Sequence, residues 1–229
     1  MKLLETDHTY TLILAVLVAI IGQRVAERIK VFDGTQSLTT LIIYPFFPIM
    51  GRKVSTNNTI LYYPTLCLIL ILVSLYHFLF LILSASDDYW IYILCISILI
   101  LISICDYTSY IIPETLTWAC LFGGLLYSPL ELNVELRILG AIYAGFILWI
   151  AFTAHSIITR NDHYSGGDVA LACGCGAWVG VDNIAPLFVL LITSALIFGL
   201  VKYLTSKTRI LPMGPCFMVA TLGVFLWKV

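Results

Sequence analysis

Charge is what this chain has least of. Of 229 residues only 12 are Lys or Arg and 13 are Asp or Glu, so charged side chains reach 11% where an ordinary soluble domain carries about 25%. That excludes a water-soluble globule, because too little polar surface is available to coat one, and the 61% hydrophobic content points to a polytopic membrane protein. No basic cluster is dense enough for nucleic acid, and the net charge of −1 gives no electrostatic reason to expect it as a partner. C-x-x-C pairs are also missing. The seven cysteines lie in or beside apolar runs, which argues against a disulfide framework or a zinc knuckle and for ordinary small packing residues. Cys173 and Cys175, two apart, would point to different faces of a helix. The first apolar run begins after eight residues and passes into Gln23-Arg24 and Glu27-Arg28 without a small-residue cleavage site, so it reads as a retained span and not a signal peptide.

What is present is a series of apolar runs. A helix needs about 20 apolar residues to cross the hydrocarbon core. By that measure the expected fold is all-α, a single membrane domain over 1–229 with about eight transmembrane helices: Thr9–Arg28, Ile60–Leu83, Tyr89–Cys105, Pro113–Leu132, Leu136–Thr159, Asp168–Val181, Asn183–Leu204 and Pro212–Trp227. The sixth is short and glycine-rich. The segment 31–59, proline-broken at Pro45 and Pro48, reads as a cytoplasmic or interfacial loop.

Lys and Arg set the orientation, since they accumulate in short cytoplasmic loops. An external N-terminus puts nine of them inside, among them Arg160 and Lys202, and leaves Lys2, Arg137 and Lys228 outside. The third span then runs inward to Asp106 and the sixth starts from the inside at Asp168. Both acids reach the cytoplasmic edge, although no acidic residue entered the charge count.

A carboxylate at membrane depth is a functional-site hypothesis by default, and two at one edge suggest acid–base chemistry or proton movement. Asp106 precedes Ile112-Pro113-Glu114, where Pro113 suits the start of a new helix and Ile112 is pushed toward extended backbone. Glu114 at that start suits the macrodipole, so a structural reading stands beside a functional one. Gly166 and Gly167 ahead of Asp168 permit positive φ and close backbone approach, as a site admitting an extended peptide would need. From residues alone, a proton-coupled small transporter using the same acids is the alternative to an enzyme. Tyr107 and Tyr110 read as interfacial anchors and His155 and His163 as solvated caps.

Three blocks together resemble the type IV prepilin peptidases, membrane aspartic proteases with a Gly-x-Gly-Asp motif. Asp106 with Pro113-Glu114 and Leu116-Thr117 is similar to the family's Asp-x6-Pro-Asp-x-Leu-Thr; Gly167-Asp168 with Leu171 and Gly176-Ala177-Trp178-x-Gly180 looks like Gly-x-Gly-Asp-x-Lys-Leu and the Gly-Ala-Trp-x-Gly after it; Pro212-Met213-Gly214-Pro215 resembles Pro-Phe-Gly-Pro. The resemblance runs from Asp106 to Val229. It implies Asp106 and Asp168 as catalytic residues sharing a proton, substrate contacts near Gly166, Gly167, Pro113 and Glu114, and prepilin or pseudopilin precursors of a type IV pilus or type II secretion system as substrates. It also implies a bacterial inner-membrane location, with the site at the cytoplasmic face and membrane lipid around the chain.

Departures shape the expectation. Ser165 stands for the first motif glycine, and Ala170 for the lysine two residues after the aspartate, so that nearby positive charge is missing. The cysteine clusters that many bacterial members carry between their first two spans are also missing, so no metal is expected. No cofactor is expected either, S-adenosylmethionine entering only if the family's N-methylation of the new amine is retained. Pro212–Pro215 reads as shaping the last helix, marking position more than chemistry.

Overall fold

The computed structural model describes residues 2–30, 62–83, 88–130, 132–160, 166–206 and 211–228. The expected loop 31–59, Ser165, Asp162 and His163 lie outside them. Helix is the regular structure throughout the described residues: α1 Lys2–Lys30, α2 Tyr62–Leu83, α3 Tyr89–Ser109, α4 Glu114–Leu126, α5 Val134–Thr159, α6 Gly166–Val179, a 3₁₀ turn at Val181–Asn183, α7 Ile184–Ser206 and α8 Gly214–Lys228. This is an all-α membrane bundle. By length and composition, three helical stretches suffice alone to cross a bilayer, Tyr89–Ser109, Val134–Thr159 and Val181–Thr205; Thr9–Gln23, Leu70–Ile82, Glu114–Leu126 and Gly214–Lys228 are shorter apolar helices.

The chain packs as two compact units, Met1–Tyr89 and Trp90–Val229. In the first, α1 lies against α2. Thr11, Ala15, Val18 and Ala19 are buried on one, and Leu72, Tyr76 and Leu79 on the other. These spacings of three and four are the period of a helix face. The Thr11 and Tyr89 hydroxyls bond at 2.6 Å, and Tyr89 meets Phe80 edge-on.

In the second unit α6 is the central element, packed against α4, α5 and α8. It has no long aliphatic stripe; it is built from Gly, Ala and Cys, because helices in lipid gain little from hydrophobic transfer and associate through close packing of small residues. A Cβ added to Gly174 would lie 2.8 Å from the Cys120 sulfur, and one on Gly176 2.6 Å from the Ala144 Cβ. Cys173 is half-buried and Cys175 fully buried, on different faces as their spacing required. Trp178, fully buried, fills the space that Gly123 and Gly124 leave on α4; its indole donates to the Cys120 carbonyl at 2.8 Å, and its own carbonyl accepts from the Ser128 hydroxyl at 2.8 Å.

The fourth expected span is shorter than its apolar run. The helix stops at Leu126, with Tyr127 extended at its end, and Ser128-Pro129 turns the chain back toward α6. Arg137, at the start of α5, reaches over that end and donates to the carbonyls of Leu125, Leu126 and Leu132 at 3.2, 2.8 and 2.8 Å. A cation on the last carbonyls of a helix satisfies acceptors that have no intrahelical donor.

The outward faces of α5 and α7 are apolar: Ile142, Phe146 and Ile150 on one, Val189, Leu196 and Leu200 on the other, are all exposed. In water such a surface would aggregate. In lipid it is the expected exterior, so the chain is a multi-pass membrane protein.

Candidate active site

Four chain segments meet at the end of the second unit opposite Arg137. α3 ends there with Asp106, α4 begins after Pro113, α6 begins at Gly166, and α8 begins at Gly214. Asp106 is 5% exposed and Asp168 9%.

Asp106 is held from two sides. Its Oδ2 accepts from the Gly214 amide at 2.6 Å. This N–H opens α8, where the first amides of a helix lack intrahelical acceptors and the dipole favours negative charge. The main chain of Gly214 comes this near because it has no side chain: a Cβ would sit 3.1 Å from both the Cβ and Oδ2 of Asp106. On the backbone side, Tyr110 adopts φ 57 and donates its amide to the Asp106 carbonyl at 2.8 Å, closing the end of α3.

Asp168 lies in the first turn of α6 and makes a polar or electrostatic contact of its own. Its neighbour Gly167 rests on the loop after Asp106, a Cβ there falling 3.3 Å from that of Ile112. Gly214 at the start of α8 packs on Asp106, and Gly167 at the start of α6 packs on Ile112, six residues after Asp106. The two carboxylates therefore belong to one end of the unit.

Residues 91–202 match the Type IV leader peptidase family. Three curated relatives, each called a prepilin leader peptidase/N-methyltransferase, align with the chain. The protein of Aeromonas salmonicida strain A449 is 27% identical over 135 residues, 57% of this chain and 46% of its own length. That of Pectobacterium carotovorum subsp. carotovorum is 28% identical over 143 residues, 59% of this chain and 50% of its own. That of Dichelobacter nodosus is 30% identical over 135 residues, 56% and 46%. The chain spans about half the length of the curated relatives it matches. No solved structure gives a significant match.

Within this leader-peptidase segment the remaining expected site residues take different positions. Pro113 is buried at the N-cap of α4 with φ −65, its carbonyl receiving the Leu116 and Thr117 amides. Glu114 is exposed and accepts from the Trp118 indole at 3.2 Å. Gly166 and Gly167 are both helical, so the positive φ expected of them is not used. Their sequence begins a helix, and Gly167 serves the close approach of the Ile112 side chain. The positive-φ glycine among the described residues is Gly180, at φ 73 after α6. His155 is exposed. Among the described residues no group of three or more His, Cys, Asp or Glu is placed to hold a metal ion.

Two contributors were missed by the sequence reading. Pro212–Pro215 does more than mark position: its Gly214 amide binds Asp106. Lys202 of α7 also reaches this end, donating to the Tyr110 hydroxyl at 2.6 Å. The repeat of Pro around Met213-Gly214 was the available signal for the first, since an unblocked glycine amide at a helix start is an anion donor. Nothing in the local sequence pointed from Lys202 to Asp106.

Proposed function

We propose that the chain is an aspartic endopeptidase that removes the leader from type IV prepilin or pseudopilin precursors at the cytoplasmic edge of the bacterial inner membrane. The observation that carries this reading is the burial of Asp106 and Asp168, two carboxylates from separate blocks, at the end where α3 closes and α6 and α8 begin. The relatives' names and the family of residues 91–202 support the substrate class.

In this reading the two carboxyls share one proton, because like charges about 3 Å apart resist ionising together. The ionised member takes a proton from a water whose oxygen adds to the scissile carbonyl while the protonated member gives its proton to the carbonyl oxygen; the member that took the water's proton then passes it to the departing nitrogen as the C–N bond breaks, and the gem-diol hydroxyl returns its proton to the other carboxylate. The pair titrates as a unit, so neither residue is assigned one starting role. Gly214 orients Asp106 through its amide. A helical substrate hides its amides in its own hydrogen bonds, so the cleaved bond is presented extended, where leader meets membrane helix. Hydrolysis by this route uses no cofactor. Methylation and its donor, S-adenosylmethionine, lie outside this reading.

The test is coexpression of the full chain with a precursor that carries a short basic leader, with the product mass read directly. Loss of the leader mass is expected. An intact precursor, together with proton-coupled solute uptake by sealed vesicles containing the chain, would replace the peptidase with a transporter.

A further inference from the structure

We propose that Lys202 is a positioning residue of this site: its ammonium supplies the positive charge facing Asp106 and, through Tyr110, fixes the turn that joins Asp106 to Pro113. The proposal rests on the carboxylate-pair reading above.

Lys202 lies near the end of α7, half-buried. Its Nζ donates to the Tyr110 hydroxyl at 2.6 Å and sits 4.5 Å from the ring centroid. Tyr110 in turn holds the Asp106 carbonyl through its amide, in a left-handed backbone conformation that is uncommon for a non-glycine residue. A non-glycine residue in that region is strained, and an anchored ring helps to offset the strain. One lysine thus touches the residue whose amide closes the helix beneath the carboxylate.

Its charge lies at the same end as Asp106, because the ammonium is bonded to the side chain of the residue whose amide holds the Asp106 carbonyl. Two carboxylates sharing one proton still leave a net negative charge in a place poor in water, and such a charge needs a counter-charge or strong donors. The Gly214 amide is a donor. Position 170, two residues after Asp168, is alanine and contributes no cation. Arg137 is engaged with carbonyls at the far end, and Arg160, at the close of α5, is exposed. Among the described residues the positive charge at this end comes from α7 and not from α6.

The test pairs leader removal with a measurement independent of proteolysis. A hydrophobic carbodiimide labels protonated carboxyls in membranes, and mass spectrometry reads the extent at Asp106. At fixed neutral pH, Lys202→Met should raise labelling of Asp106 about threefold or more, while Lys202→Arg stays near wild type. In the peptidase assay Lys202→Met should lower kcat about tenfold with KM within about twofold, and Lys202→Arg should recover most of the loss. Tyr110→Phe, which removes the hydroxyl acceptor, should lower kcat by a smaller factor without the rise in labelling. Unchanged labelling in Lys202→Met overturns the role of Lys202 whatever the enzyme does, as does a loss that Arg cannot recover. Raised labelling in Met alone, with a wild type that leaves the precursor intact, keeps Lys202 and removes the peptidase.

Discussion

Asp106 accepts a 2.6 Å hydrogen bond from the amide of Gly214, 108 residues further along the chain. The acid at the close of α3 is thereby fixed by the opening turn of α8, with a glycine where any Cβ would press on the carboxylate. Charge-assisted bonds of this kind are short and directional, and they set the aim of a carboxylate as well as its charge.

Gly214→Ala should leave the fold intact and lower leader cleavage. The new methyl would sit 3.1 Å from Asp106 Oδ2 and 3.2 Å from the Ser103 Cα, so the carboxylate has to shift. A displacement approaching 1 Å in a catalytic group costs up to about 100-fold, and a loss of about 10–100-fold in kcat is expected. Initial rates with purified precursor, beside an unfolding curve in detergent, separate misaim from misfolding.

Gly167→Val should slow cleavage about tenfold by pushing the start of α6 away from Ile112, whose Cβ lies 3.3 Å from the site of the added atom. Ile112→Gly removes that Cβ and clears the space. The double variant should be faster than Gly167→Val alone, and a double-mutant cycle measures the coupling.

Trp178→Phe should lower stability by about 1–3 kcal/mol, through the lost indole bond to the Cys120 carbonyl and the void left between Gly123 and Gly124. The midpoint of thermal unfolding in micelles reads it directly. Cleavage at low temperature should change little, since Trp178 lies at the end of α6 away from Asp168.

Arg137→Gln should lower stability too, by about 1–2 kcal/mol read from the same midpoint, because the Leu125, Leu126 and Leu132 carbonyls lose a charged donor. Its kcat should match wild type. The cap and the carboxylates sit at opposite ends of the second unit.

Much of the helix layout was legible in the sequence because long apolar runs admit few alternatives in lipid. Tyr89–Ser109, Val134–Thr159 and Ile184–Ser206 each lie within a few residues of the expected spans. The fourth run misled by length: its apolar residues continue past Leu126, but Ser128-Pro129 breaks the helix, and that pair was visible. Both acids were legible as rare charges beside apolar runs and as parts of recognisable blocks. What holds Asp106 was not. Gly214 and Lys202 act across the fold through a backbone amide and a long flexible side chain, and neither leaves a local periodicity that a sequence pattern can report. The glycines before Asp168 were read for freedom of φ; their helical conformation shows that one of them matters for what it lacks, a side chain against Ile112.

The shared role of Asp106 and Asp168 is tested most directly by leader removal from a coexpressed precursor, scored by mass for Asp106→Asn and Asp168→Asn against wild type. Each substitution should lower the cleavage rate by about 100–10,000-fold while the protein still inserts and purifies as wild type does. Processing at the wild-type rate by either variant would contradict the carboxylate pair.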